Sequence, residues 1–298
     1  MPSGSRINWP LLITMLLWGY NFVAVKFVYH EISPAAVSMA RFVVMYAVLL
    51  VVCRIQKTPI SVDREDRLSI LGVGFLSMGI YMIFFLEGMS KSTPAQGAII
   101  LACAPIMTNV FAVLAKQERF CLGAFIGALV SFAGVSAVVL KEGFKPGFGD
   151  ILLLLSSAVW SFQAVWSRPY LRKYSSLQLL TASLPGALIP LLPYALLPTL
   201  HTNWEGIGFW GWLNFFHVSV LSGAVGFLGF YMGVRQIGAS RAMLYQFLVP
   251  PMAATFGYLA LKMPLEPLQL VGFVLVVAGI VWANRARESA AVAVAATA

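Results

Sequence analysis

The stretch that decides the fold reads Trp18-Gly19-Tyr20-Asn21-Phe22-Val23-Ala24-Val25-Lys26. It places an aromatic, a small, a second aromatic and an amide side chain in order, and it ends in a cation. A second version, Trp160-Ser161-Phe162-Gln163-Ala164-Val165-Trp166-Ser167-Arg168, begins 142 positions later (160 − 18). Internal repeats of this kind are typical of membrane proteins that build one central site between two halves. The motif therefore predicts a chain that is duplicated at half length.

The composition of the 298 residues excludes a soluble domain. Hydrophobic side chains make up 60% of the chain, charged side chains make up 10%, and the mean hydropathy is +0.85. A typical globular domain has about 25% charged residues. So apolar a chain must face lipid as well as protein, and the predicted fold class is an all-α membrane protein.

The hydrophobic pattern predicts ten spans of about 19 to 26 residues, close to the ~20 residues that cross a hydrocarbon core of ~30 Å. They cover roughly residues 9–29, 34–53, 68–89, 94–115, 121–140, 150–170, 177–200, 210–234, 241–262 and 266–284. We predict a first five-helix repeat in residues 1–145 and a second in 146–286, together forming one transmembrane domain. The Ala- and Val-rich tail, residues 287–298, is predicted to be disordered.

Further along the chain the two halves match at an offset of 145 residues. The matched pairs are Pro105 with Pro250, Met107 with Met252, Phe111 with Phe256, Gly127 with Gly272, and Gly134 with Gly279. Because five spans per half is an odd number, the second copy enters from the opposite face and the repeats are inverted. The prolines predict kinks in equivalent spans. The glycines predict close helix packing, either within the chain or between protomers.

The net charge of +9 is explained by topology rather than by nucleic acid. Of the 20 Lys and Arg residues, fourteen fall at the termini and in the loops after spans 2, 4, 6 and 8, five fall on the other side, and Arg41 lies inside span 2. By the positive-inside rule, both termini are predicted to be cytoplasmic in a multi-pass protein of a bacterial inner membrane.

Signatures of enzymes and cofactor sites are absent from the sequence. It has no phosphate-binding Gly-rich loop with Lys and Ser or Thr, and its three histidines lack metal-ligand spacing. No catalytic residue, cofactor or metal is therefore predicted. Among the acids, only Glu87 sits inside a predicted span, and it lies near the outer end of that span. Because coupled carriers often hold a carboxylate near mid-membrane, this scarcity favours facilitated transport, with Glu87 and His217 as the alternative proton sites.

The polar and aromatic side chains of the spans suggest a site for a neutral or zwitterionic ligand. Residues three or four apart share a helix face, so each copy of the motif presents an indole beside an amide. Such walls provide stacking surfaces with a few hydrogen-bonding groups. The alternative is that these side chains only pack between helices. The candidate substrate-binding residues are Trp18, Asn21, Met78, Tyr81, Phe85, Trp160, Gln163, Tyr245 and Gln246.

Arg41 is the conspicuous charge within a span. It is available to bind a substrate carboxylate, but it could equally pair with Glu87 or a backbone carbonyl, or extend towards the interface. The sequence favours one of these structural roles.

These residues resemble the drug/metabolite transporter superfamily, and specifically its ten-helix EamA-type carriers. The resemblance covers about residues 9–284 and rests on Leu17 to Phe22, Ser33-Pro34 with Arg41, Pro105, and the Gly127 to Gly134 spacing. Within that family the chain is most similar to the bacterial YddG-type aromatic amino acid exporters. The resemblance implies a central cavity lined by helices 1, 3, 4, 6, 8 and 9, with Trp18, Tyr81, Trp160 and span 9 at the cavity.

The sequence therefore predicts a secondary transporter that exports amino acids, chiefly aromatic and also other neutral ones, by alternating access. The alternative within the superfamily is an exporter of drugs or other small metabolites. A receptor or sensor is disfavoured because the sequence contains no signalling domain or long loop. The expected partners are a small-molecule substrate and the lipid bilayer, with no nucleic acid, and the oligomeric state is left open with a monomer favoured.

Overall fold

The computed structural model describes residues 8–92, 97, 100–139, 147–261 and 267–296. These residues form helices and contain no strand, which confirms the predicted all-α class. The helices are α1 Trp9–Tyr29, α2 Pro34–Ile55, α3 Arg67–Ser90, α4 Ala104–Leu114, α5 Leu122–Val139, α6 Phe148–Lys173, α7 Ser176–Leu200, α8 Phe209–Ile237, α9 (Ala239–Leu244, Tyr245–Leu248 and Val249–Leu261) and α10 Pro267–Ala296.

Six helices in the described part of the chain are long and apolar enough to cross a membrane. They are α1, α2, α3, α6, α7 and α8, with lengths of 21 to 29 residues. Two apolar stretches are shorter, namely α4 and Leu122–Ser136 within α5. In lipid a helix satisfies its own backbone hydrogen bonds, which is why an apolar chain of this kind folds as helices. The count of ten spans stays a prediction.

The helices are interrupted at particular places. A π-helical segment, Phe75–Ile80, lies within α3, and a second, His217–Val225, lies within α8. The offset of 145 carries Phe75–Ile80 onto residues 220–225, inside the second segment. Short 3-10 segments, Leu184–Ala187 in α7 and Tyr245–Leu248 in α9, make two further breaks. Interruptions of this kind are frequent at functional sites.

The paired prolines differ from the sequence expectation. We predicted that Pro105 and Pro250 kink the middle of their helices. In the structure Pro105 lies in the first turn of α4, and Pro250 follows Val249, where the last α-helical part of α9 begins. A proline in a first turn removes no helix hydrogen bond, so Pro105 starts a helical segment rather than bending one. Pro250 follows the 3-10 segment Tyr245–Leu248, so the interruption of α9 lies just before it.

The tail also differs from its prediction. The structure continues α10 as a helix to Ala296, through most of the segment from residue 287 that we predicted to be disordered. Alanine has the highest helix propensity of all residues, and the tail is rich in it. The guanidinium of Arg287 is also held in place, because its Nη1 donates to Glu118 Oε2 at 2.5 Å.

The glycine-rich faces of α5 and α10 pack against each other within the chain. A Cβ placed on Gly127 would lie 2.7 Å from the carbonyl oxygen of Gly279, and one on Gly134 would lie 2.7 Å from that of Gly272. Midway between them, Ser131 Oγ donates to the carbonyl oxygen of Val276 at 3.1 Å. Because the two backbones touch, only glycine fits at these positions. Of the two alternatives left open by the sequence, the structure shows the contact within one chain.

Ion pairs join the loops at one end of the bundle, here called the basic end. Lys173 at the end of α6 pairs with Asp63 and Asp66 at 2.6 Å each, which ties the loop between α2 and α3 to α6. These contacts hold the pKa of both carboxyls below the usual range. Glu118, in the loop between α4 and α5, pairs with Arg168 of α6 at 3.1 Å and with Arg287 of α10 at 2.5 Å.

We predict that Gly127→Ala lowers the free energy of unfolding by about 1–3 kcal/mol, because the added methyl group overpacks the contact between α5 and α10. Thermal melting of the purified protein in detergent checks this. Gly147→Ala is the matched control, since a Cβ at Gly147 meets no atom within 4 Å. Equal melting temperatures for the two variants would contradict the observed packing.

Candidate substrate-binding cavity

A cavity of about 100 Å³ lies where the two halves of the chain meet. Side chains from α1, α2, α3, α6, α8 and α9, together with residues of and just before α4, form its walls. These are the six helices that the family resemblance implies, with α2 added through Arg41. The lining residues are Trp18, Asn21, Phe22, Arg41, Tyr81, Met82, Phe85, Leu101, Ala102, Ala104, Trp160, Ser222, Phe227, Gln246, Val249 and Pro250.

Aromatic rings form the centre of the cavity wall, with Trp160 in their midst. Its ring centroid lies 5.0 Å from that of Tyr81, 5.8 Å from Trp18, 5.5 Å from Phe227 and 4.9 Å from Phe230. Tilted and edge-to-face contacts at such distances contribute about 0.5–1.5 kcal/mol each beyond burial. The rings therefore hold one another in place and offer rigid, flat surfaces to a ligand.

The two motif tryptophans have different surroundings. The indole N–H of Trp18 donates to the carbonyl oxygen of Ser222 at 3.0 Å. A Cβ at Gly226 would lie 2.6 Å from Trp18 Nε1, so the absence of a side chain there makes room for the indole. At the offset of 145, the residue that corresponds to Gly226 is Tyr81, whose ring lies against Trp160 instead. The aromatic wall is therefore asymmetric even though the motif is repeated.

Four polar atoms of the cavity residues are buried and have no hydrogen-bond partner among the described residues. They are Asn21 Oδ1, Arg41 Nε, Trp160 Nε1 and Ser222 Oγ. Leaving such a group unsatisfied costs about 1–3 kcal/mol, and more for a charged one. Buried polar atoms of folded proteins almost always have partners, so these four are available to a ligand or to ordered water.

Arg41 is the charged member of this set, and 6% of it is exposed. At 1.5 Å per residue it lies about 10 Å along α2 from Pro34. Its Nη1 contacts Met82 Sδ at 3.8 Å, and its Cζ lies 5.9 Å from the centroid of Phe227. Among the described residues, no carboxylate lies within ion-pair distance of this guanidinium. A buried cation that contacts a thioether and an aromatic ring, with no carboxylate beside it in the described part of the chain, is well placed to bind an anionic group.

The candidate proton sites have other partners. Glu87, which the sequence offered as a partner for Arg41, contacts Lys91 and accepts a hydrogen bond from Tyr194 Oη at 2.8 Å. His217 Nε2 lies 3.0 Å from the carbonyl oxygen of Leu17, and its ring packs edge-on to Tyr20. Neither residue lines the cavity.

The structure brings most of the predicted substrate-binding residues to the cavity. Trp18, Asn21, Tyr81, Phe85, Trp160 and Gln246 line it, whereas Met78, Gln163 and Tyr245 do not. Met78 is buried in the apolar core. Gln163 is fully buried and its Oε1 accepts from Tyr231 Oη at 3.3 Å, and Tyr245 packs against the core half-buried.

Sequence reasoning missed Met82 and Phe227, which line the cavity and flank Arg41. The repeat carried a usable signal, because 82 + 145 = 227 makes them equivalent positions. Met82 is the neighbour of the candidate Tyr81, but neither Met82 nor Phe227 carries a polar group that would draw notice. Ser222 was missed as well, because its contribution to Trp18 is made through the backbone.

The placement of the two motif amides can be tested by cysteine labelling. In a background in which Cys53, Cys103 and Cys121 are replaced by alanine, Asn21→Cys should react with a small methanethiosulfonate at least about tenfold faster than Gln163→Cys, because exposure to the cavity controls thiol access. Mass spectrometry of the intact protein measures the rates. Equal rates at the two positions would contradict this geometry.

Apolar helices long enough to cross a membrane, with a cavity between them, are typical of membrane proteins that bind small molecules. The EamA-like transporter family model matches the chain twice, over residues 7–140 and 147–285. The chain therefore belongs to the EamA-like transporter family, as the resemblance in its sequence predicted. Family and relatives are named as transporters, so this protein is a transporter and not an enzyme.

Similar proteins span nearly the whole chain. An uncharacterized transporter of Archaeoglobus fulgidus is 23% identical over 91% of this chain and 95% of its own length. The uncharacterized transporter YyaM of Bacillus subtilis is 23% identical over 92% of each chain. A probable terminal-alkyne amino-acid exporter of Streptantibioticus cattleyicolor is 23% identical over 94% of each. A solved crystal structure superposes with a TM-score of 0.77 at 18% identity, over 94% of this chain and 96% of that one, and shows a shared fold.

Proposed function

We propose that this protein exports amino acids, aromatic ones foremost and other neutral ones as well, across the bacterial inner membrane. The observation that carries the proposal is the guanidinium of Arg41, which has no carboxylate within ion-pair distance among the described residues and lies in a cavity walled by Trp160, Tyr81 and Phe227. The cavity thus combines a fixed cation with flat apolar surfaces. An amino acid with an aromatic side chain has matching groups, a carboxylate at one end and a ring at the other.

Each part of such a ligand has a suitable partner. Arginine binds a carboxylate through two parallel N–H donors, which is the strong, charge-assisted form of hydrogen bond. An aromatic side chain stacks on Trp160 and Tyr81. The ammonium group is a donor, and Asn21 Oδ1 is a buried acceptor that no described residue hydrogen-bonds. Gln246, also at the cavity, adds an amide that both donates and accepts.

The relatives supply independent support for this class of substrate. The Streptantibioticus protein is named as a probable exporter of a terminal-alkyne amino acid, which is a zwitterion with an apolar side chain. The likeness of the sequence motifs to the YddG-type exporters favours aromatic amino acids within that class.

Alternating access of two inverted five-helix halves is the proposed mechanism, with both termini in the cytoplasm. Three features support it. The family model matches each half separately, the π-helical segments of α3 and α8 coincide at the repeat offset, and the glycines that join α5 to α10 are exchanged by that offset. Halves that are built alike are able to exchange their arrangements and so open the cavity to either side.

We propose facilitated movement down the substrate gradient. The cavity lining contains no aspartate or glutamate among the described residues, and Glu87 is engaged with Lys91 and Tyr194. A carboxylate that takes up a coupling proton is thus missing from the place where substrate binds.

Replacement of Arg41 tests the proposal. For phenylalanine uptake into proteoliposomes, we expect Arg41→Gln to raise KM about 10- to 100-fold, because a hydrogen-bonded charge contributes about 1.5–3 kcal/mol. Arg41→Lys should raise KM less, since lysine keeps the positive charge and loses only the two parallel N–H donors of the guanidinium. Arg54→Gln, an exposed arginine at the end of the same helix, is the matched control and should leave KM unchanged.

Competition for uptake by the wild-type protein is a second test of the substrate carboxylate, and it needs no variant. Excess phenylalanine should block labelled phenylalanine uptake, whereas phenylalaninol, which lacks the carboxylate, should fail to do so. No saturable uptake of any amino acid would overturn the proposed function. Block by phenylalaninol as strong as block by phenylalanine would overturn the role of Arg41.

Export of drugs or other metabolites is the second candidate, and the aromatic walls favour it. Such walls also accept planar organic cations. The buried cation Arg41 opposes them, because like charges in a low-dielectric cavity repel strongly. Uptake of ethidium that exceeds uptake of phenylalanine in the same proteoliposomes would favour this candidate over amino acids.

A further inference from the structure

Four arginines converge on a hollow of about 280 Å³ at the basic end of the bundle, away from the central cavity. We call this hollow the arginine hollow. Its four arginines lie at the end of α6, the end of α8 and the start of α9. The lining residues are Arg168, Arg172, Val234, Arg235, Gln236, Ile237, Gly238 and Arg241.

The charge around the arginine hollow is unbalanced. Arg168 pairs with Glu118, but Glu118 also pairs with Arg287. For Arg172, Arg235 and Arg241, no carboxylate lies within ion-pair distance in the described part of the chain. One carboxylate thus faces five guanidinium groups, which repel one another unless an anion lies between them.

The positive-inside rule explains why cations are at this end, but not why they converge on one hollow. Elsewhere at the same end the positive charge is balanced, because Lys173 forms ion pairs with both Asp63 and Asp66. The arginine hollow is therefore an exception within its own surroundings.

The turn between α8 and α9 is shaped to admit Arg168. Gly238 has a φ of +87°, a conformation that favours glycine, and a Cβ there would lie 2.8 Å from Arg168 Nη2. The side chain of Arg168 also donates to the carbonyl oxygen of Gln117 at 3.2 Å and to Glu118 Oε1 at 3.1 Å. This guanidinium is thus held in place by its hydrogen bonds, and Arg235 and Arg241 line the same hollow from α8 and α9.

We propose that the arginine hollow binds a phosphate group. Guanidinium forks match the geometry of phosphate oxygens, and several forks around one hollow bind phosphate in preference to a single carboxylate. The phosphate belongs either to the headgroup of an anionic phospholipid or to a small phosphorylated solute. Basic pockets between helix ends at a membrane surface bind anionic lipid headgroups, and Val234 and Ile237 give this one an apolar edge.

Binding there has a structural consequence. Arg168 belongs both to the hollow and to the network in which Glu118 joins α6 to α10. An anion in the hollow offsets the repulsion among the arginines and so stabilises the contacts at the basic end. This proposal is independent of the transported substrate.

The test uses the full chain, purified and delipidated in detergent, and titrated with dioleoylphosphatidylglycerol, with dioleoylphosphatidylcholine or with inorganic pyrophosphate. Native mass spectrometry counts the bound molecules, and the melting temperature reports stabilisation. We expect the Arg235→Gln, Arg241→Gln double variant to bind phosphatidylglycerol or pyrophosphate at least about tenfold more weakly than wild type. The Arg54→Gln, Arg64→Gln double variant is the control, because it removes the same charge from exposed positions at the same end.

The outcomes separate the two sources of phosphate. If only phosphatidylglycerol binds saturably, and the Arg235→Gln, Arg241→Gln double variant weakens that binding, the ligand is a lipid headgroup. If pyrophosphate binds saturably and the double variant weakens its binding, the ligand is a soluble phosphate. Equal weakening in the control variant, binding of phosphatidylcholine as tight as that of phosphatidylglycerol, or no saturable binding of any of these ligands would overturn the proposal.

Discussion

In hydrocarbon no water is available to satisfy a polar group, so every buried donor and acceptor needs a partner inside the protein or in its ligand. This constraint explains the helical fold, because helices satisfy their own backbones, and it also makes the exceptions informative. Arg41 is the strongest exception, because a charge within a span costs about 3 kcal/mol or more, and no carboxylate of the described residues offsets it. Its proposed partner is therefore the substrate.

The repeat gives the protein symmetric parts, and the cavity shows where that symmetry is broken. Gly127 and Gly279 meet across the contact between α5 and α10 just as Gly134 and Gly272 do. In the cavity, by contrast, Tyr81 lies against Trp160 where the equivalent position, Gly226, leaves room for Trp18. The symmetric glycine contacts join α5 to α10, which lie outside the cavity. The asymmetric aromatic wall lines the cavity, where one ligand would be recognised.

Much of the fold and part of the cavity were predictable from the sequence. Composition predicts the all-α membrane class, and the motif residues predict the family that the comparison confirms. Helical spacing brings Trp18 and Asn21 to one helix face, as predicted. Gln163, which is equivalent to Asn21 in the second half, instead accepts a hydrogen bond from Tyr231, because tertiary contacts decide the environment of a repeated residue. That no carboxylate of the described residues pairs with Arg41 was not predictable, since it depends on Glu87 contacting Lys91 and Tyr194 instead. The place of Pro105 in a first turn was missed because it depends on where α4 begins.

The most direct test of this account is a structure of the protein with bound phenylalanine, determined by cryo-electron microscopy. The account predicts the substrate carboxylate within hydrogen-bond distance of the Arg41 guanidinium and the phenyl ring against Trp160 and Tyr81. Phenylalanine bound elsewhere, or bound in this cavity with its carboxylate turned away from Arg41, would contradict it.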